Sequence, residues 1–175
     1  MKIRLLEFKD IRAITRLYMS LNEEERLLFH PFPFNYFIAF LIFLYFALSN
    51  KIYKITGFIT RYTIISFICY KKETMAGLAF ISKIEITDGR KVAGNFGIVI
   101  RREFRSQGLG KKLATKIIEF CKNERIQKIH LTVMAHNKPA LNFYKKLGFK
   151  IKKRHEKREK WKNKYYSDYD MTLNL

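Results

Sequence analysis

"FRSQGLGKKLATKIIEFCK", residues 104 to 122, sets an arginine and two glycines directly ahead of a basic amphipathic helix. The hydrophobic run before it, Gly97 to Ile100, reads as a strand, and Leu113, Ile117, Ile118 and Cys121 after it recur at helical spacing. Strand, glycine loop and helix therefore follow in order. Such a loop offers unpaired backbone N–H groups, the positive end of a helix dipole, and no Cβ to hold a ligand away. Together these make a seat for an anion, most naturally a pyrophosphate; the plainer reading is that Gly108 and Gly110 serve turn geometry alone. Two familiar phosphate loops are excluded. Walker A needs a glycine where Arg105 stands, and neither Lys111 nor Lys112 is followed at once by Ser or Thr. The dinucleotide fingerprint fails at Leu113, where its third glycine belongs.

The 175 residues suffice for one domain with a full core and no disulfide or metal staples, so a single domain over 1–175 is expected. A hydrophobic share of 48% and an aromatic share of 15% set aside the disordered class. The net charge of +20 is unevenly spread: residues 1–90 hold 13 basic against 8 acidic side chains, residues 91–175 hold 22 against 7. A positive field of this kind attracts phosphates, whether of nucleic acid, a ribosome, an anionic membrane surface or a polyanionic cofactor. Cys69 and Cys121 are the only cysteines and form no CxxC, which points to a reducing cytosol rather than a disulfide framework or zinc site. The stretch "MKIRLLEFKD" lacks the apolar core of a signal peptide, and a cytoplasmic protein is expected. The apolar run "YFIAFLIFLYFAL", Tyr36 to Leu48, has 13 residues, short of the ~20 a spanning helix needs, and Pro31, Pro33 and Asn35 interrupt it upstream. It is expected as a buried or groove-lining helix and not a transmembrane segment, with insertion into a membrane surface as the alternative.

Along the chain, "KIRLLEF" reads as a first strand and Asp10 as the cap of a helix from Ile11 to about Ser20. Asn22 with Glu25 three residues on forms a capping-box pattern for a short helix running into the prolines of "FHPFPF". Tyr62 to Tyr70 and Ala76 to Ile86 make a hairpin, "TDGRKVAG" a second turn, "NFGIVI" and "IQKIHLTVM" further strands, and the tail two more, around 150–158 and 165–173. The class is α/β or α+β around one mixed sheet.

The spacing Arg105, Gly108, Gly110 is R-x-x-G-x-G, and it resembles the acetyl-coenzyme A signature of the GNAT superfamily of N-acetyltransferases. A second stretch, "TVMAHNKPALNFYKKLGF" (132–149), resembles that family's other motif: a strand, an asparagine, a helix bearing a tyrosine, then Gly-Phe. Locally, Asn137 can cap a helix that accepts Pro139 in its first turn, and Gly148 stands at the C′ position. Tyr144, with Ala140, Leu141 and Leu147, equally suits the core stripe of an amphipathic helix.

The resemblance implies the GNAT fold, a mostly antiparallel sheet flanked by helices and splayed between two central strands, here "FGIVI" and "KIHLTVM". It implies acetyl-CoA as cosubstrate, with the strand Ile98, Val99, Ile100 pairing with the pantetheine arm. The loop Arg105, Ser106, Gln107, Gly108, Leu109, Gly110, Lys111 would hold the pyrophosphate, and Asn137 would bond the cofactor arm or a water. Direct attack by a primary amine, of a protein N-terminus, a lysine or a small molecule, would use an N–H, that of Ile100, at the oxyanion and Tyr144 as general acid. No cysteine nucleophile or metal is required. The base is open: Thr132 stands where ribosomal-protein acetyltransferases often show a glutamate, and Glu85, His136 and His30 are the candidates, beside a water chain. Phe29 to Tyr36 and the apolar helix after them would border the acceptor. The block Lys150 to Lys164, nine Lys or Arg against Glu156 and Glu159, suits an acidic peptide, RNA or a ribosome, or is a solvated ion-paired face. A rival reading keeps the fold as a non-catalytic module binding RNA or a ribosome. Monomer and homodimer are both open.

Overall fold

The computed structural model describes residues 2–29, 35–161 and 163–175. Its elements run β1 (Lys2–Leu5), α1 (Ile11–Met19), α2 (Glu23–Phe29), α3 (Tyr36–Thr56), β2 (Ile65–Lys71), β3 (Thr74–Thr87) and β4 (Arg90–Ile100), then α4 (Leu109–Asn123), β5 (Lys128–Met134), α5 (Lys138–Lys146), β6 (Lys150–Trp161) and β7 (Lys164–Asn174). The seven strands form one sheet in the order β1-β2-β3-β4-β5-β7-β6. Every neighbouring pair is antiparallel except β4 and β5. That parallel pair is joined only at Val92–Lys128 and Ala93–Ile129, after which the strands diverge. The mixed sheet expected from the sequence, and the splay that the resemblance implies, are therefore present.

Alternation along β2 and β3 sends side chains to opposite faces. Ile65, Phe67, Cys69, Ala79 and Ile81 meet Leu113 and Ile117 of α4 and Leu141 of α5 in one core. Ile68, Leu78 and Phe80 meet Ile14 and Leu17 of α1 and Phe43 and Phe46 of α3 in the other. The sheet is thus covered on both faces.

Several boundaries differ from the sequence reading for local reasons. Asp88 and Gly89 both take positive φ (50° and 70°), so the second turn is a tight two-residue hairpin and β4 already starts at Arg90. Asp10 does not cap α1. Its backbone is already helical (φ −90°, ψ −13°), and its carboxylate turns back to Arg4 (2.6 and 2.8 Å), the Glu7 amide (2.9 Å) and the Tyr70 hydroxyl (3.1 Å). The Asn22–Glu25 capping box does form, with reciprocal bonds of 2.8 and 3.0 Å. The "FHPFPF" turn and His30 lie outside the described residues.

The apolar helix is longer than its apolar run. Asn35 caps it by accepting from the Phe37 and Ile38 amides, and it runs to Thr56, eight residues past Leu48, where Gly57, left-handed at φ 67°, ends it. Its continuation depends on Ser49 and Asn50 facing inward with partners. Asn50 Nδ2 donates to Leu6 O (2.9 Å), Ser66 O (3.0 Å) and Ser66 Oγ (2.9 Å), and Asn50 Oδ1 accepts from the Ser66 amide (3.1 Å). At 21 residues, α3 is long and apolar enough to cross a membrane by length and composition. A third of its most apolar 18-residue window is buried, with Phe43 and Phe46 in the core.

Replacing Asn50 removes the side-chain partner of Leu6 O and of the Ser66 amide, both buried at the α3–sheet junction, while Ser66 O keeps the Leu6 amide at 2.9 Å. Asn50→Leu is expected to lower the unfolding free energy in urea by about 3 kcal/mol, since each unsatisfied buried group costs roughly 1–3 kcal/mol. A change below about 0.5 kcal/mol would show that this junction contributes little.

Candidate active site

The divergence of β4 and β5 opens the sheet, and a cleft lies on either side of the gap. The first, about 480 Å³, is lined by Ile98, Val99 and Ile100 of β4, by Arg105, Ser106, Gly108, Gly110 and Lys111, and by Asn137 and Tyr144. The second, about 470 Å³, is lined by Asn95 and Gly97 of β4, by Lys83, Phe46 and Ile64, and by Arg158, Glu159 and Asp168 of the β6–β7 hairpin. Five residues belong to both: Leu28, Phe29, Ile98, Thr132 and Tyr144. The two clefts therefore meet across Ile98, Thr132 and Tyr144.

The strand lining follows from pairing. The Arg101 amide donates to Ala76 O of β3 at 2.9 Å, and alternation then turns the backbone groups of Ile100 and Ile98 to the opposite edge, toward the gap. No β5 partner meets them there, because the β4–β5 ladder ends at Ala93.

At the other side of the first cleft, α4 begins with Gly108 as its cap, left-handed at φ 76° and with no side chain to satisfy the first-turn amides. Those amides, of Leu109, Gly110 and Lys111, have no acceptor within the helix. A Cβ built on Gly108 would meet nothing within 4 Å, so the amides are approached through open space. This arrangement fits an anionic group such as a pyrophosphate. Arg105, by contrast, is a tether. Its Nε donates to Ile100 O at 3.0 Å and its Nη2 lies 2.8 Å from Glu25 of α2, which Arg102 also reaches. Glu25 is held below the usual carboxylate range: burial opposes ionisation, but the Asn22 amide and the two arginines outweigh it. Gln107 is turned away from the cleft, bonded to Glu103 O (3.0 Å) and Lys71, and Leu109 is buried in the core.

Asn137 caps α5 through the Ala140 amide (3.1 Å), and its residue lines the first cleft. A Schellman-type closure ends the helix: Gly148, at φ 94°, donates to Lys145 O and Phe149 donates to Tyr144 O, both at 3.0 Å. Tyr144 is thereby set between Phe96 (5.9 Å), Phe143 (5.4 Å) and Phe149 (5.6 Å), and burial pushes its phenol pKa up. Such a phenol remains protonated at neutral pH. The cysteine thiols are pushed up by burial to about 11 for Cys69 and about 12 for Cys121, and neither lines a cleft.

The carboxylate arrangement differs from the sequence reading. Glu85 is exposed and lines neither cleft: it lies on the hairpin-tip side of a break in β3–β4 pairing at Lys83, whose φ is 53°. His136 is exposed, outside both clefts, against the Tyr166 ring (5.2 Å). The acids at the second cleft come from the last hairpin. Asp168 is fully buried and faces Arg158, whose Nε donates to Oδ2 at 2.9 Å while Nη2 lies 2.9 Å from Oδ1. Asp170 sits directly opposite Thr132, whose hydroxyl donates to it at 3.1 Å, and His155 Nε2 is 2.6 Å from its other oxygen. Burial opposes its ionisation, yet the bonds from His155 and Thr132 and the Arg158 charge hold its pKa below the usual range. His155, Asp168 and Asp170 bring ligand-type atoms within 4.8 Å of one another, with Arg158 paired to both carboxylates. The alternation of Asp168 and Asp170 on one strand was a legible signal for these acids; their position beside Thr132 was not.

Comparison with known proteins identifies the family. A family model described as "Acetyltransferase (GNAT) family" matches residues 17–149. The chain is 38% identical over 63 residues to an L-amino acid N-acetyltransferase of Escherichia coli, covering 35% of this chain and 39% of that one. It is 31% identical over 102 residues to N-alpha-acetyltransferase 30 of Schizosaccharomyces pombe, covering 58% and 66%. It thus spans less than two thirds of the length of these relatives. A Salmonella typhimurium structure with its cofactor acetyl-CoA superposes with a TM-score of 0.77 at 16% identity, over 100% of this chain and 94% of that one. With the family model covering most of the chain, and the splayed strands and glycine-capped helix in place, the chain belongs to the GNAT acetyltransferase family.

Proposed function

We propose that this chain is an acetyl-CoA dependent N-acetyltransferase whose acceptor is a free α-amine, of an amino acid or a peptide N-terminus. The observation that carries the reading is the meeting of two clefts at Tyr144, one ending at the α4 N-terminus, where Gly108 supplies no side-chain cap, and the other lined by polar groups of the last hairpin. Acetyl-CoA supplies the acetyl group as a thioester. The amides of Leu109, Gly110 and Lys111 hold its pyrophosphate, and the Lys111 side chain adds charge. The gap-facing backbone of Ile98 and Ile100 pairs with the pantetheine arm, and the Ile100 N–H faces the carbonyl oxygen as that oxygen gains negative charge. Asn137 offers its Nδ2 to the cofactor arm. Tyr144, kept protonated by burial, donates its proton to the departing sulfur.

Lys83, Arg158, Glu159 and Asp168 line the second cleft and Asp168 is paired with Arg158, so the charges there balance and do not select the acceptor. The strength of the base then favours an α-amine. No histidine lines either cleft among the described residues, and Asp170 is held below its ordinary pKa. An α-amine, with a pKa near 8 against about 10.4 for lysine, is about a hundredfold more often neutral at neutral pH and needs little help. The names of the Escherichia coli and Schizosaccharomyces pombe relatives point to the same acceptor class.

Coenzyme A thiol release should require an acceptor. It should run at least about tenfold faster with peptides bearing a free N-terminus than with N-blocked peptides carrying lysine. Faster reaction with the blocked peptides would overturn the acceptor assignment, and no release with any amine would favour a non-catalytic module that binds RNA or a ribosome through its basic hairpin. For Tyr144→Phe the expected result is a fall in kcat of about a hundredfold, within the usual range for a general acid, with little change in acetyl-CoA affinity; unchanged kcat would remove that role. Gly108→Trp should weaken acetyl-CoA binding by more than about tenfold in calorimetric titration, because the side chain enters the space before the α4 amides. Unaltered affinity would place the pyrophosphate elsewhere.

A further inference from the structure

The outer face of α3 has no counterpart in the site just described. Ile38, Leu41, Tyr45, Leu48, Ile52 and Ile55 recur at helical spacing and are each between 39% and 73% exposed. At a rise of 1.5 Å per residue they form an apolar stripe about 25 Å long. Phe58 and Tyr62, 75% and 71% exposed, continue it, and the Tyr45 hydroxyl donates to Tyr62 O at 2.6 Å, which fixes the two stretches side by side. An uninterrupted apolar surface of this kind on a soluble protein marks an interaction site.

The charges around the stripe select its occupant. From residue 27 to residue 72 the sequence contains no Asp or Glu, whereas exposed Lys51 flanks the stripe and the Arg61 guanidinium lies 5.7 Å from the Tyr62 ring centre at its edge. The whole chain carries +20. Self-association through this face would bring the same cations together from two strongly positive molecules. An anionic lipid headgroup layer would neutralise them, while the apolar side chains enter the acyl boundary and tyrosines sit at headgroup level. The opposite face of α3 is committed to the sheet through Asn50, Phe43 and Phe46, so the helix can lie in a surface without leaving the fold.

We propose that α3 docks this protein on an anionic phospholipid surface, lying in the interface with its outer face down and not crossing the bilayer. The inference stands independently of the acceptor assigned above.

Flotation of the full chain with phosphatidylcholine vesicles containing about one third phosphatidylglycerol, and with pure phosphatidylcholine vesicles, tests it. The chain should rise with the anionic vesicles and far less with the neutral ones. Leu41→Gln combined with Leu48→Gln should reduce the bound fraction at least about tenfold, with the acetyl-CoA affinity of the parent retained. Should that pair disturb folding, Ile55→Gln with Phe58→Gln, at the most exposed positions, gives the same readout. Absence of flotation with anionic vesicles overturns the proposal. So does undiminished flotation of folded variants, which would assign lipid binding to the cationic β6–β7 hairpin. A dimer in sedimentation equilibrium that the substitutions dissociate, without vesicle binding, would assign the face to a second copy.

Discussion

The early end of the β4–β5 ladder is the constraint on which the remaining structure depends. Backbone N–H and C=O groups in a sheet interior are normally paired, and a gap between central strands leaves them open unless a ligand or water meets them. Here the strands part after two residue pairs, and three rings pack against one another nearby. Phe96 stacks on Phe149 at 5.9 Å with the rings nearly parallel, and Tyr144 packs edge-on against both. The amides of Ile98 and Ile100 face the gap without a β5 partner. Meanwhile β5 remains paired to β7 along its whole length, which keeps the divergent half of the sheet ordered.

In a chain so rich in cations, the few acids act as tethers. Glu25 draws Arg102 and Arg105 to α2 and so fastens the glycine loop beneath that helix. Asp10 gathers Arg4, Tyr70 and the Glu7 amide where the first strand turns into α1. Asp168 and Asp170 hold Arg158 and His155 of the edge strand β6. The arginine of the glycine-loop signature therefore contributes by positioning the loop, and the first-turn amides of α4 are left without a side-chain cap.

Helix α3 satisfies two demands with opposite faces. Inward it supplies Phe43, Phe46 and the Asn50 network to the core; outward it carries an apolar stripe beside cations. Its low amphipathicity in sequence follows directly, because both faces are apolar for different reasons.

Local order determined much of this protein. Strand, glycine loop and helix, and then strand, capping asparagine and tyrosine-bearing helix, are contiguous stretches whose conformations depend on neighbours a few residues away, and they were legible as residues 97–122 and 132–149. The sheet class, the Asn22 capping box and the Gly148 terminus were legible for the same reason. The placement of the last hairpin's acids was not. Asp168 and Asp170 stand beside Thr132 only because β7 is inserted between β5 and β6, a pairing across about 38 residues that no local pattern encodes. Glu85 was the carboxylate the sequence offered, but it lies beyond a break in pairing at Lys83, exposed and outside both clefts. The sequence by itself determined the elements and the glycine cap of α4, which rest on short-range backbone geometry. Only the tertiary structure decided which carboxylates reach the cleft and which apolar face of α3 stays uncovered, because register and strand order are set by packing between distant segments.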